Sequence, residues 1–263
     1  MKIFVAATLL AVAFAPVQAM AENGFDGTWK GDVSSAQMPK KPDVYVLQDG
    51  MYSCKTCAPA YTIKADGTDQ AVTGHPYFDT VAIKVVDDHS IQETDKKAGK
   101  TVTTSSVTVA PDGKTATFEF TDSSNTNAAP VTGKGTSRQV AKGPAGSHAT
   151  SGSWITTSFA SLSDNGVTVT YKTDGDMLTM SNPTGQSYTA KTDGTEAPYK
   201  GDPGVTSVTV KMTGKHTLVE TDKRDGKVIG KATSTLNKSG TAMHVSYYDA
   251  LHARTTTYTA TKQ

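Results

Sequence analysis

The sequence contains little cysteine or tryptophan and almost no net charge. Its 263 residues include two cysteines and two tryptophans, and the formal net charge is +1 at pH 7. A surface this neutral offers no counterion-release drive towards nucleic acid and no polybasic patch for an anionic membrane. We therefore expect no nucleic-acid partner and no electrostatic attachment to a membrane.

Patterns typical of enzymes and metal sites are also missing. The sequence has no P-loop, no Rossmann glycine pattern, no G-x-S-x-G and no histidine pair at metal-ligand spacing. A zinc site would need two ligands besides the cysteines, and none stands at a suitable spacing. A c-type haem site fails because Ala58, not histidine, follows Cys57. We predict no cofactor, no metal and no enzymatic activity, apart from the thiol chemistry considered below.

The only long apolar run is at the N-terminus. Lys2, the apolar stretch Ile3–Val17 and the small residues Ala19–Ala21 have the arrangement of a secretory signal peptide, which predicts removal of residues 1–21. The run is too short to span a bilayer, and no cysteine stands at the cleavage point to carry a lipid. We expect a periplasmic or extracellular protein without membrane insertion.

The rest of the chain is a tandem duplication. The segment Tyr61–Phe120 reappears without a gap as Tyr188–Tyr247, and its longest identical run is Glu93–Lys96, repeated as Glu220–Lys223. We predict a first repeat at 22–142, a glycine- and proline-containing linker at 143–150, and a second repeat at 151–263.

Both repeats alternate apolar and polar residues with the period of a β-strand. Val81, Ile83 and Val85 share one face, and Val208 and Val210 repeat this pattern. Turn signals such as Asp-Gly separate eight or nine such runs per repeat, which predicts a meander of antiparallel strands. Closure into a barrel removes the exposed edges of such a meander, so we predict two all-β barrels, with β-sandwiches as the alternative.

Each repeat begins with a Gly-x-Trp motif, Gly27-Thr28-Trp29 and Gly152-Ser153-Trp154. In these motifs the chain resembles the lipocalins and their calycin relatives. The resemblance implies tandem lipocalin-like barrels in which Trp29 and Trp154 each plug one barrel end. It also implies that a basic residue of the last strand lies across each tryptophan: Lys134 or Arg138 in the first repeat and Arg254 in the second.

A closer likeness is to uncharacterised secreted bacterial proteins described as lipocalin-like. It is carried by Phe25–Lys30 and Glu93–Lys96 and extends over most of the chain after the leader. This resemblance implies a fold, without an established ligand or activity.

Cys54 and Cys57 form a C-x-x-C motif in the first repeat only. In an oxidising compartment two cysteines this close are expected to pair as a local structural disulfide. The alternative is a redox-active dithiol, which would normally stand at a helix N-terminus, whereas the surrounding pattern predicts strands.

Glu93 and Glu220 occupy equivalent positions and fall on the apolar face of their strands. A carboxylate inside a barrel is unfavourable unless it is paired or hydrogen-bonded, so both are candidates for anchoring the polar end of a ligand. Alternatively they stand in water at a barrel mouth, or pair with Lys96 and Lys223.

The candidate ligand-binding residues are Glu93, Phe118, Phe120, Glu220 and Tyr247. They favour an exported binding protein whose barrels each hold a small apolar or amphipathic molecule. The alternative is a structural or interaction protein of the cell envelope with filled barrels and no small-molecule ligand. Only the first repeat has the cysteines and the segment His75–Phe78, so we expect any specific activity there.

Overall fold

The computed structural model describes residues 24–124 and 128–263, and the predicted leader lies outside them. The chain is almost entirely β-structure, as predicted. The strands of the first repeat are β1 (Gly27–Gln37), β2 (Asp43–Gln48), β3 (Met51–Cys54), β4 (Tyr61–Lys64), β5 (Gln70–Ala71), β6 (Thr80–Asp87), β7 (Ser90–Lys97), β8 (Lys100–Val109), β9 (Thr115–Asp122) and β10 (Val131–Lys142). Those of the second are β11 (Gly152–Leu162), β12 (Thr168–Asp174), β13 (Met177–Ser181), β14 (Ser187–Lys191), β15 (Asp193–Lys200), β16 (Ser207–Met212), β17 (Thr217–Arg224), β18 (Lys227–Leu236), β19 (Ala242–Asp249) and β20 (Arg254–Lys262), with a short 3-10 helix at Asp164–Gly166.

The strands form two ten-stranded antiparallel sheets, and each sheet contains one strand of the other repeat. Barrel two is closed and consists of β12–β20 with β1 inserted between β12 and β20. Barrel one consists of β2–β10 with β11 inserted between β2 and β10. The predicted boundaries 22–142 and 151–263 therefore divide the sequence repeats, whereas the sheets exchange their first strands.

The short linker explains this exchange. β10 and β11 form a long antiparallel hairpin whose ladder runs from Lys142 opposite Gly152 to Gly133 opposite Leu162. Because strands joined by a short connection usually pair, β11 takes the place beside β10 that β1 would need to close the first repeat on itself. β1 instead pairs with β12 and β20 of the second repeat.

Barrel one is less completely closed than barrel two. Its edge strands are β4 and β5, which are not paired with each other in the sheet order. An isolated antiparallel bridge joins Asp66, just after β4, to Lys84 on β6. The N–H of Gly67 also donates to the carbonyl of Ile83 at 2.9 Å. These contacts complete the wall near the gap between the edge strands.

The alternation in the sequence correctly predicts the buried positions of Val81 and Ile83 and of their equivalents in the second repeat, but Val85, further along β6, is 42% exposed. Val81 and Val208, at equivalent positions, both have 0% exposure. Barrel two has one continuous apolar core that includes Trp29. The core of barrel one is divided into two clusters, one around Ile83 on β6 and the other around Trp154 on β11.

Both tryptophans are buried as the resemblance implies, and both are fixed in the same way. The Trp29 Nε1 donates to the Phe25 carbonyl at 2.7 Å, and the Trp154 Nε1 donates to the Thr150 carbonyl at 2.9 Å. Trp29 lies in barrel two, however, where Lys262 of the last strand places its Nζ 5.6 Å from the indole centroid. A basic residue therefore covers Trp29, but it comes from the other repeat.

The basic residues expected over Trp29, Lys134 and Arg138, were predicted wrongly. Arg138 is exposed and stands opposite Ile155, whose side chain alternates with that of Trp154, so it points to the outer face. Lys134 is also exposed and pairs with Glu119. Arg254, expected over Trp154, binds Asp43, which stands opposite Trp154 on β2. The strand exchange explains the error for Trp29, because it places that ring beside β20 instead of β10.

Candidate functional site

The interior of barrel one contains a cavity of about 300 Å³. Its aromatic wall consists of Tyr45, Tyr52, Phe118, Phe120 and Trp154. Its aliphatic residues are Ile91, Val107 and Ala116, and its polar residues are Asp43, Glu93, Ser105, Ser137, Thr150 and Thr156. A largely apolar cavity with a few polar groups is the usual composition of a small-molecule site.

Glu93 lies in this cavity beside a second carboxyl group. Strand alternation places Ile91, Glu93 and Asp95 on the inward face of β7, and Asp95 is only 7% exposed. The Tyr61 hydroxyl donates to Glu93 Oε1 at 3.4 Å. No polar partner lies within hydrogen-bond distance of the buried Asp95 Oδ1 among the described residues.

Burial changes the protonation of this pair. Desolvation raises the pKa of Glu93, against hydrogen bonds from Tyr61 and Asp95 that lower it. Desolvation first, and the negative charge of Glu93 second, raise the pKa of Asp95 to about 8. Because two adjacent carboxylates in a low-dielectric site repel each other, the pair retains a proton at neutral pH.

Barrel two has an equivalent cluster that is more fully hydrogen-bonded. Glu220 accepts hydrogen bonds from the hydroxyl of Tyr171, at 2.9 Å, and from that of Tyr188. Desolvation raises the pKa of Glu220, and burial together with the charge of Glu220 raises the pKa of Asp222 to about 7. The cavity around this cluster measures about 190 Å³. Two tyrosines thus donate to Glu220, whereas one tyrosine, at the longer distance of 3.4 Å, donates to Glu93.

Differences at equivalent positions explain why the cavity of barrel one is larger. Thr150 lies under Trp154 in barrel one, where the fully buried Phe25 lies under Trp29 in barrel two. Ala116 of the first cavity likewise corresponds to Met243 of the second.

A third difference lies in the last strand of each sheet meander. Gly135 stands opposite Phe118 in barrel one, whereas Tyr258 stands opposite Val245 in barrel two. At all three positions barrel one has the smaller side chain, although the Phe118 ring, larger than Val245, occupies the space beside Gly135.

Two glycines on β10 allow aromatic rings to lie flat on the wall of barrel one. A Cβ at Gly135 would stand 2.4 Å from Phe118 Cζ, and one at Gly133 would stand 2.5 Å from Phe120 Cε1. Real Cβ atoms do not approach carbon so closely, so any other residue would push the rings into the cavity.

Four of the five predicted ligand-binding residues line a barrel interior. Glu93, Phe118 and Phe120 meet in the cavity of barrel one, and Glu220 lines that of barrel two. Tyr247 was assigned to the ligand site wrongly. It is 36% exposed, at the end of the inward face of β19, and lines a separate groove between the two barrels.

The alternative role for the two glutamates, pairing with a nearby lysine, is wrong. Lys96 binds Asp69 at 2.6 Å, and Lys223 binds Glu196. Both lysines alternate with the inward carboxyls along their strands and therefore lie on the outer face.

Sequence reasoning missed Asp95, Asp222 and the three tyrosines that donate to the glutamates, Tyr61, Tyr171 and Tyr188. A signal was present for two pairs of these residues, because Asp95 matches Asp222 and Tyr61 matches Tyr188 between the repeats. Strict alternation from Glu93 also places Asp95 on the inward face. Contact of Tyr61 with Glu93 depends on two strands that are not neighbours in the sheet, β4 and β7, approaching each other in the folded barrel, which the pattern along one strand does not give.

The mouth of the first cavity lies against barrel two. Asp43 lines both the cavity and the groove between the barrels, which measures about 230 Å³. Arg254 Nη1 lies 2.9 Å from Asp43 Oδ1, and Arg254 Nη2 donates to the Pro42 carbonyl at 2.9 Å. A second contact joins the Tyr77 hydroxyl to Asp202 Oδ1 at 3.0 Å. Barrel two therefore supplies a cation at the rim of barrel one.

The predicted disulfide between Cys54 and Cys57 is confirmed. Its Cα atoms are 5.5 Å apart, and Cys54, at the end of β3, is 1% exposed within the apolar core of barrel one. No helix begins at either cysteine. The bond joins the ends of the short segment that leads towards β4.

Comparison with protein-family models, with curated proteins and with solved structures found no match to this chain. Within residues 24–124 and 128–263, no helix has the length and apolar content needed to cross a membrane. The same residues contain no group of three or more His, Cys, Asp or Glu placed to hold a metal ion.

Proposed function

We propose that this chain is an exported binding protein whose barrel one holds one small apolar or amphipathic molecule. The observation that carries the proposal is the cavity of about 300 Å³, in which aromatic rings face the carboxyl group of Glu93. Its volume is at the lower end of the range for ligand pockets, so the ligand is small.

Differences between the barrels support barrel one as the binding unit. Large side chains at Phe25, Met243 and Tyr258 reduce the interior of barrel two, and two tyrosines satisfy Glu220. Barrel two then acts mainly as a scaffold that provides β1 with a sheet and places Arg254 at the rim of the cavity.

The leader pattern and the disulfide support export. A signal-like segment at 1–21 would direct the chain to a compartment where cysteines oxidise, and Cys54 and Cys57 are paired. The Gly-x-Trp motifs, each with its indole buried inside a barrel, support the proposed relationship to lipocalin-like proteins. That relationship is an analogy of fold, and the proposed binding function depends on the cavity itself.

Native mass spectrometry and NMR test this proposal. Protein purified from its own host should carry a small molecule in stoichiometric amount, and added indole should shift amide signals of β2, β7, β9 and β11. Ala116→Met, which introduces the side chain found in barrel two, should abolish these shifts. Ser137→Leu provides a second variant that fills the cavity from another strand.

Met243→Ala is the matched control, because it makes the reverse change in barrel two and should leave indole binding intact. Melting curves of all variants establish that they are folded. Absence of both a copurified molecule and any indole-dependent shift in the wild-type protein would contradict the proposal. Specific capture of an envelope protein by that ligand-free chain would favour a structural role instead.

A further inference from the structure

The charges in the cavity of barrel one are unbalanced. Among the described residues that line it, Asp43 and Glu93 are acidic and none is Lys, Arg or His. Arg254 neutralises Asp43 at the rim. No cation of the described residues forms an ion pair with Glu93 or with the adjacent Asp95.

The inner carboxyl pair also has unused hydrogen-bonding capacity. Among the described residues, only the Tyr61 hydroxyl, at 3.4 Å, donates to Glu93 from another strand, whereas the equivalent Glu220 accepts from two tyrosines. Asp95 Oδ1 is buried without a polar partner among the described residues. Carboxylate oxygens removed from water without donors are unfavourable, and a donor-rich cation would satisfy them.

Aromatic rings surround the same space. Tyr45 and Tyr52 stack with centroids 6.1 Å apart on one side, and Phe118 and Phe120 lie flat against β10 on the other. Faces of aromatic rings attract organic cations, with an energy of about 0.5–2 kcal/mol for each favourable contact. A cavity that combines such faces with one carboxyl group, Glu93, that no cation of the described residues neutralises favours a cation that carries an apolar group.

We propose that the cavity of barrel one binds a small organic ammonium compound, with its nitrogen against Glu93 and its apolar body against the aromatic wall. This inference rests on the proposed binding function and specifies its ligand class. At about 30 Å³ for each water-sized group, the cavity has room for on the order of ten such groups. An amine with one ring or a short branched chain fits this volume.

Three probes of similar shape and different charge test the ligand class. Calorimetric titrations near neutral pH compare 2-phenylethylamine, 2-phenylethanol and 3-phenylpropionate. The amine should bind at least about tenfold more tightly than the alcohol, and the carboxylate should bind most weakly.

Charge-neutralising variants locate the effect. Glu93→Gln should weaken amine binding by about tenfold and change alcohol binding by no more than about twofold, because only the amine uses the charge. Glu93→Leu removes the same charge and serves as a second variant if Glu93→Gln is poorly folded. Asp95→Asn keeps the neutral form that Asp95 has at this pH and should change amine binding by no more than about twofold. The matched variant Glu220→Gln in barrel two should leave all three affinities unchanged.

The outcomes separate the ligand class from the binding function. Equal affinity for the amine and the alcohol, or an equal loss of both in Glu93→Gln, would overturn the ammonium inference and leave the binding function in place. Failure of all three probes to bind, together with the absence of a copurified molecule, would refute both.

Discussion

Trp29 of the first repeat lies beneath Lys262 of the second, with the Lys262 Nζ 5.6 Å from the centroid of the indole. The two residues stand opposite each other on the neighbouring strands β1 and β20. Barrel two is therefore closed by a strand from the other repeat, and barrel one contains β11 in return. Neither repeat has a complete sheet of its own, although each carries a full set of strand signals.

Cleavage of the linker should leave the two halves associated. A protease site inserted between Ala145 and Gly146, which are exposed, would separate β1–β10 from β11–β20. After the cut, β1 still lies in the sheet of the second repeat and β11 in the sheet of the first. The cut protein should therefore elute in gel filtration as one species. It should separate only in denaturant, and each half alone should lack cooperative unfolding. Elution as two folded monomers would show that the exchanged strands are dispensable; uncut protein with the same insertion is the control.

Mutation of a tryptophan should destabilise the barrel of the other repeat. Trp29 is fully buried in barrel two, so Trp29→Ala should cost about 3–5 kcal/mol and Trp29→Phe less. In hydrogen exchange the lost protection should map to β12–β20. Trp154→Phe is the matched variant, and its effect should map to β2–β10. If the loss of hydrogen-exchange protection were confined to the repeat that carries each mutation, the strand exchange would be contradicted.

The sequence predicted the local features of this fold and not the pairing of its first strands. Alternation identified the inward positions, because a strand with one buried face has a period of two. The position of β1 depends on competition between β1 and β11 for the edge of β10. The short linker decides that competition, and the two Gly-x-Trp strands are too similar for their sequences to show which sheet each joins.

The candidate site was predicted to the same extent. Glu93, Phe118 and Phe120 followed from alternation, and the structure brings them together. The size of the cavity did not follow, since it depends on small residues such as Thr150 and Gly135 that face the site from other strands. The Tyr247 prediction failed because alternation shows which face of a strand points inward but does not show where along the strand the barrel interior ends.

The buried carboxyls should make stability fall as pH rises. The pKa of Asp95 is about 8 in the folded protein, whereas an unfolded aspartate has a pKa of about 3.9, so the folded state retains a proton that the unfolded state releases. By linkage the stabilisation is complete below about pH 4, declines as pH rises and is lost above about pH 8. Asp222, with a pKa of about 7, acts in the same direction.

Denaturant unfolding at several pH values tests this dependence. Asp95→Asn and Asp222→Asn should each reduce the fall in unfolding free energy between about pH 5 and pH 9. Asp66→Asn is the control: hydrogen bonds from Thr68 lower the pKa of this exposed carboxyl, so its contribution is lost only as pH falls below that window. If the unfolding free energy of both Asp95→Asn and Asp222→Asn falls with pH as steeply as that of the wild type, the barrel interiors do not retain these protons.

The disulfide should behave as a structural bond. Replacing both Cys54 and Cys57 by serine should lower the free energy of unfolding by about 2 kcal/mol, the chain-entropy value for so short a loop. Because Cys54 is 1% exposed, dithiothreitol should release thiols much more slowly from native than from unfolded protein. Insulin reduction by the wild-type protein should not exceed that of the serine variant. Rapid native reduction together with insulin turnover would instead support a thiol–disulfide enzyme.

Exchanging one side chain between the barrels should show that the open cavity is maintained at the expense of stability. Ala116→Met adds apolar volume where there is space, so it should raise the free energy of unfolding by about 0.5–2 kcal/mol while abolishing indole binding. Met243→Ala removes a buried side chain of barrel two, so it should lower the free energy of unfolding by about 2–5 kcal/mol without affecting indole binding. A protein that only needed two stable barrels would gain from methionine at both positions. Destabilisation of barrel one by Ala116→Met, measured as a lower denaturation midpoint, would mean that its interior is already filled and would remove this argument for a ligand.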